Sequence, residues 1–180
     1  MKQSAINALP KNSVTAYVGI GANLGRKEET IRRAIEDIKK IPNTTLTACS
    51  SLYLTEPIEA AGEDYVNAVV RVETRLSAIQ VLHALQNLEN RFGRIRPAGV
   101  VNAPRTLDLD LLLYADAEST EPELILPHPR MLDRAFVLIP LMEIAPVNFQ
   151  IKEMSLSSRL LSVSAQRVSL LTKETYFCLV

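Results

Sequence analysis

The segment PRTLDLDLLLY, residues 104–114, carries the residues best suited to chemistry. Read as a strand over 106–114, its alternate side chains share a face. Thr106, Asp108 and Asp110 then point one way, and Leu107, Leu109 and Leu111 the other. The two carboxylates lie roughly 6–7 Å apart by strand rise. They are set in a leucine-rich stretch, where an uncompensated charge is costly. Two compensations are open: an arginine pairing of purely structural value, or a divalent cation. Hard oxygen ligands suit Mg²⁺, which takes one or two carboxylates together with substrate phosphates and water. Two carboxylates on one face can also hold a metal pair across a transferring phosphoryl group.

The charge around this segment is unevenly spread. Between Asn90 and Leu107 stand four arginines, Arg91, Arg94, Arg96 and Arg105, and no Asp or Glu. Guanidinium grips phosphate with two parallel hydrogen bonds, so a run of arginines beside a carboxylate pair suits a phosphorylated substrate with metal. A solvated basic loop is the plain alternative for each arginine alone. Upstream, Gln86 and Glu89 are three apart on a helix and share a face. Glu89 falls near the helix C-terminus, where Arg91 or Arg94 would offset its charge. His128 sits between two prolines in LPHPR, which restrict the backbone around it. It can donate to phosphate or serve as a surface loop residue. His83 falls on the polar side of its helix. Arg130 and Arg134 extend the basic theme. Tyr65, Asn67 and Phe136 offer ring faces and an amide to a flat heterocycle, with core packing the alternative for each ring.

GIGANLG, residues 19–25, follows a strand and opens a helix, as dinucleotide fingerprints do. Its spacing is G-x-G-x-x-x-G, however, and no acid ends a second strand about 20 residues on. A phosphate-binding P-loop also fails, since Arg26 follows Gly25 and no Ser or Thr follows Lys27. The glycines are read as serving a tight turn.

These residues need positioning by a fold, and the chain of 180 residues is about one domain long. With 47% apolar residues it can bury a core. Lys plus Arg and Asp plus Glu each count 20, which excludes a bulk basic nucleic-acid coat. Cys49 and Cys178 are too few for a disulfide scaffold. No apolar run has signal-peptide form or approaches the roughly 18 residues of a membrane span, so a soluble cytoplasmic protein is expected. Residues 1–14 read as a flexible leader and 15–150 as the main domain. Residues 151–180 are expected to be an extension packed on the same domain. Residues 15–21 read as a buried strand. A helix from Gly25–Arg26 to about Lys40 shows Ile31, Ala34, Ile35 and Ile38 at helical spacing. Strands follow at 45–54 and 65–74. Ser77 is a good cap for a second helix running to Phe92, with Gly93 at its end. Loop and turn occupy 115–130, and a short helix 131–144. The order predicts a mixed α/β (α+β) protein with a ferredoxin-like βαββαβ core, mainly antiparallel, with helices on both faces.

Taken together, PRTLDLDLLLY, GIGANLG, ENRFGRIR and LPHPRMLDRAF make the chain resemble the 6-hydroxymethyl-7,8-dihydropterin pyrophosphokinases, from about Thr15 to Pro146. The resemblance implies transfer of the diphosphate of ATP to the pterin hydroxymethyl group, leaving AMP. It implies that Asp108 and Asp110 hold two Mg²⁺ ions, and that Arg94 and Arg105 belong to catalytic loops. Gln86, Glu89, Arg96, Leu111, His128 and Arg134 then match ATP-side positions. Thr55, Pro57, Ile58, Tyr65, Asn67 and Phe136 match a pterin pocket, with Tyr65 and Phe136 sandwiching the ring. Asn102-Ala103 stand where many relatives carry a Trp. The implied partners are ATP and a pterin, not nucleic acid or membrane, with the chain acting as a monomer. Two rival functions are a ferredoxin-like module that binds RNA or a small ligand without catalysis, and a dinucleotide-dependent oxidoreductase working through GIGANLG.

Overall fold

The computed structural model describes residues 5–56, 63–93, 106–152 and 154–172. Strand β1 (Val14–Ala22) leads through a turn at Gly25, where φ is +63°, into helix α1 (Lys27–Ile38). Ile31, Ala34, Ile35 and Ile38 are buried on one side of α1, as their spacing predicts, and Glu28 and Glu29 sit favourably in its first turn. Strands β2 (Thr44–Cys49), β3 (Leu52–Thr55) and β4 (Tyr65–Thr74) follow, then helix α2 (Ala78–Arg91). Ser77 caps α2 within a capping box shared with Gln80, and Gly93 ends it at φ +76°. Strand β5 (Asp108–Tyr114) precedes a short hairpin, β6 (Ser119–Glu121) and β7 (Leu124–Leu126), within residues expected to be loop. The chain ends in α3 (Ala135–Ile144), β8 (Gln150–Ile151), β9 (Met154–Ser155), α4 (Leu156–Ser162) and β10 (Val168–Thr172).

The main sheet runs β10-β3-β4-β1-β5, with β2 also paired to β4, and every pairing is antiparallel. This is the split βαβ core expected from the order of elements. One face packs Ala16, Val18, Ile20, Val66, Val70 and Leu109 against α1 and α2. The opposite face packs Tyr17, Val69 and Leu112 against α3 and α4. Among the described residues no helix is long and apolar enough to cross a membrane.

Three departures from the sequence reading follow from specific tertiary contacts. The single strand expected at 45–54 is broken at Ser50–Ser51. There the Ser50 hydroxyl accepts from the Val69 N–H at 2.9 Å, and the Ser51 N–H and hydroxyl each donate to Glu143 of α3 at 2.8 Å. Side-chain partners thus replace ladder bonds at the break. The expected leader holds a 3₁₀ turn at Ala5–Asn7, and Ile6 is fully buried in the core over α1 and α2. Burial of this one large apolar side chain offsets the cost of ordering the turn. Third, β10 pairs with β3, Val168 opposite Thr55, and so extends the sheet on that side.

Glu143 also accepts a bond from the Tyr53 hydroxyl at 3.0 Å. Burial first, and this carboxylate second, push the Tyr53 phenol up to about 12. The folded state therefore favours the protonated phenol. The resulting stability is full below pH 10 and is lost as pH rises through about 12. In an alkaline absorbance titration Tyr53→Phe should lack the highest tyrosine transition, and its stability should fall less steeply above pH 10; a profile matching wild type would contradict this.

Candidate active site

The register of three strands builds the site. On β1, Gly21 pairs with Asp108 of β5 on one side and Asn67 of β4 on the other; Gly19 likewise pairs with Asp110 and Val69. Directly opposed residues in antiparallel strands project to the same face. Asp108, Gly21 and Asn67 thus form one row across the sheet, and Asp110, Gly19 and Val69 the next. This is the face whose Tyr17, Val69 and Leu112 pack with α3. The expectation that these glycines serve a turn holds for Gly25 alone. Gly19 and Gly21 lie inside β1, between the carboxylates and β4. A Cβ on Gly21 would come within 3.0 Å of Asn67 Oδ1, and one on Gly19 within 3.4 Å of Leu112. Their place within the strand also removes the dinucleotide-turn reading of GIGANLG, which needs its first glycines in the turn.

Asn67 is buried and donates from Nδ2 to Thr55 Oγ1 at 2.7 Å. Thr55 pairs with Tyr65 at the end of β3–β4, so Thr55, Tyr65 and Asn67 share the face of the aspartates. His128 follows a cis Leu126-Pro127 bond and is pinned to β5 by its N–H, which donates to the Leu112 carbonyl at 2.9 Å. Its Nδ1 accepts from the Arg130 N–H at 3.3 Å. The neutral ring therefore carries its proton on Nε2, which lies 3.9 Å from Asp110 Oδ2. Burial holds the imidazole below its ordinary value; Asp110 opposes this, while Arg134 and Arg130 add to it. Arg134 stands just before α3 with its guanidinium 5.4 Å from the centre of the Phe136 ring, within cation–π range.

Other sequence-selected residues lie elsewhere. Leu111 is buried among the residues that pack on α1 and α2, facing away from the aspartates, and Gln86 is half-buried on α2 beneath that face. Glu89 is 1% exposed, and its Oε1 accepts from the Leu109 N–H at 2.9 Å. It thus ties α2 to the peptide between Asp108 and Asp110. Arg91, one of the two arginines expected to offset Glu89, lies 3.8 Å from Asp37 instead. His83 is exposed and 3.2 Å from Glu123. Arg94, Arg96, Arg105, Pro57 and Ile58 lie outside the described residues. Among these no group of three or more His, Cys, Asp or Glu forms a metal cluster, so a cation here would rely on the aspartate pair with ligand oxygens.

Sequence reasoning missed Gly19 and Gly21 as the floor of the site. Their signal was an i, i+2 glycine pair inside an apolar strand, a pattern that marks close approach of another group.

The split βαβ topology, with a carboxylate pair on one sheet face, places the chain among ferredoxin-like α+β proteins. The family model described as 7,8-dihydro-6-hydroxymethylpterin-pyrophosphokinase (HPPK) matches residues 17–146, and the chain belongs to this family. A 2-amino-4-hydroxy-6-hydroxymethyldihydropteridine pyrophosphokinase of Haemophilus influenzae is 41% identical over 133 residues, covering 73% of this chain and 82% of that protein. One from Pseudomonas aeruginosa is 40% identical over 131 residues, covering 72% and 80%. In structure the chain is similar to wild-type Plasmodium falciparum HPPK-DHPS crystallised with STZ-DHP. The TM-score is 0.67 at 11% identity, covering 91% of this chain and 46% of that longer one. At this identity the likeness speaks for the fold.

The Glu89 bond generates a test. Glu89→Ala leaves the Leu109 N–H without this acceptor in a buried site, which costs about 1–3 kcal/mol. Urea unfolding should show that loss, and a variant as stable as wild type would contradict the assignment.

Proposed function

We propose that the chain transfers the diphosphate of ATP to the hydroxymethyl group of 6-hydroxymethyl-7,8-dihydropterin, releasing AMP and the pterin diphosphate. The observation that carries this reading is the register that sets Asp108 and Asp110 against Gly21 and Gly19, beside Asn67 and Thr55. It brings a pair of hard oxygen donors onto the same sheet face as the polar groups of Asn67 and Thr55.

In the reaction the pterin hydroxyl oxygen bonds to the β-phosphorus, and the bond from that phosphorus to the α–β bridging oxygen breaks. The electron pair leaves on AMP, and the hydroxyl proton goes to solvent. Such transfers depend mainly on positioning and electrostatics. Asp108 and Asp110 present hard oxygen donors from alternate positions of one strand, with no side chain on the glycines opposite. This donor set fits Mg²⁺, two ions being the expectation. Bound there, Mg²⁺ would neutralise triphosphate charge and polarise the phosphoryl oxygens. His128 can donate its Nε2 proton to a phosphate oxygen, because its Nδ1 is already engaged as an acceptor. Arg134 adds positive charge at the start of α3, and Arg94, Arg96 and Arg105 supply further guanidinium donors to the phosphates. Asn67 and Thr55 present polar edges to the pterin, and Tyr65 and Phe136 its stacking surfaces.

With Mg²⁺, ATP and the pterin, AMP and pterin diphosphate should form in equal amounts, while ADP as the nucleotide product would overturn the reading. Asp110→Ala should lower turnover by at least about 10²-fold while remaining folded by circular dichroism; retained turnover would remove the metal role.

A further inference from the structure

The C-terminal segment lies beyond residues 17–146, yet it touches both sides of the site. Arg159 of α4 donates from Nε to the Leu132 carbonyl at 2.7 Å, and its Nη2 bonds the Asp133 carboxylate. Gln166 donates from Nε2 to the Asp133 carbonyl at 2.8 Å, and its Oε1 accepts from the Ala135 N–H at 2.8 Å. Ala135 is the first residue of α3, whose leading N–H groups have no partners within the helix. Arg134, in the cap position, makes no side-chain capping bond. Gln166 therefore supplies the cap from a distant part of the chain. Together these contacts hold the backbone on both sides of Arg134, one turn or less from Phe136.

Two residues after Gln166, Val168 enters the sheet opposite Thr55, and Arg167 lies 3.4 Å from Glu56. Thr55 is the acceptor that orients Asn67. The same short stretch is thus bonded to the Arg134–Phe136 wall at one end and to the Thr55–Asn67 wall at the other. Two residues of extended chain span about 7 Å. A link that short holds the two anchoring points at a nearly fixed separation.

We infer that residues 166–168 form a strap that sets the width of the pterin recess, with Gln166 a positioning residue for pterin binding. This rests on the proposed function for its substrate, while its geometry does not. Gln166 acts through the α3 N-terminus, which its side chain bonds, and through β3, which Val168 joins. The β1 register sets Asp108 and Asp110, and Glu89 bonds the Leu109 N–H between them; on the phosphate side the strap braces Arg134.

The test is Gln166→Met in the full chain, which keeps side-chain length and removes both polar atoms. KM for pterin should rise about five- to tenfold, the effect of one lost cap, with KM for ATP rising less, through Arg134. Amide exchange of the ligand-free protein should quicken at Ala135 and also at the Val168–Thr55 pair. An unchanged pterin KM, a fall in kcat with both KM values unchanged, or faster exchange confined to Ala135 would each overturn the strap. Should Gln166→Met fail to fold, Gln166→Glu keeps an acceptor for the Ala135 N–H and loses the donor to the Asp133 carbonyl, and is held to the same outcomes at smaller size. Wild-type protein that makes no AMP from ATP and pterin would instead overturn the proposed function, and the exchange comparison would still decide whether the strap couples the two walls.

Discussion

The antiparallel register of β5, β1 and β4 is the constraint on which the rest of the site depends. A shift of one residue would turn Asp108 and Asp110 into the core formed with α1 and α2, and would bring Leu109 and Leu111 onto the open face. Burying two carboxylates among Val18, Ile20 and Leu88 would cost far more than the sheet gains from pairing. The hydrophobic pattern that folds the protein is therefore also what aims its carboxylates. The Glu89 bond to Leu109 fixes the same register from the α2 side, at the peptide between the two aspartates.

The two faces of the sheet have different tasks. Under α1 and α2 the strands present a continuous apolar surface, with Ile31, Ile38 and Leu85 among the fully buried side chains. On the other face α3 packs over Tyr17, Val69 and Leu112, and the aspartates, the glycines and Asn67 lie on that same face. Arg71 donates to the carbonyl of Ile144 at the C-terminal end of α3, Glu143 bonds Ser51 and Tyr53, and Gln166 bonds the N-terminal end. The helix that bounds the site is held at both ends by polar contacts, not by its apolar side alone.

Much of this was legible in the chain itself. Apolar periodicity located α1, α2 and the strands, because burial imposes periods of 3.6 and 2 that survive in the residue order. The aspartate pair was legible because strand alternation fixes its shared face once the strand is recognised. What escaped depends on partners far away in sequence. The break at Ser50–Ser51 needs Glu143, more than ninety positions on. The burial of Glu89 needs β5, and the cap of α3 needs Gln166. The tail carries many serines and a weak helical period, so nothing local marks it as a strand added to β3 or as a brace for α3.

The glycine floor has a chemical consequence of its own. β1 lies between two partner strands, so its peptide groups along Gly19–Gly21 are engaged in the ladders on both sides. The surface they offer is flat and has its hydrogen-bonding capacity already committed. A planar ring resting there would meet peptide faces and few competing dipoles, so the floor would accept one flat heterocycle about as readily as another. Discrimination among such rings would then fall to polar groups beside the floor, of which the Asn67 amide and the Thr55 hydroxyl, bonded to each other, are two. The middle of the site sets the shape of what can enter, and its border sets the identity.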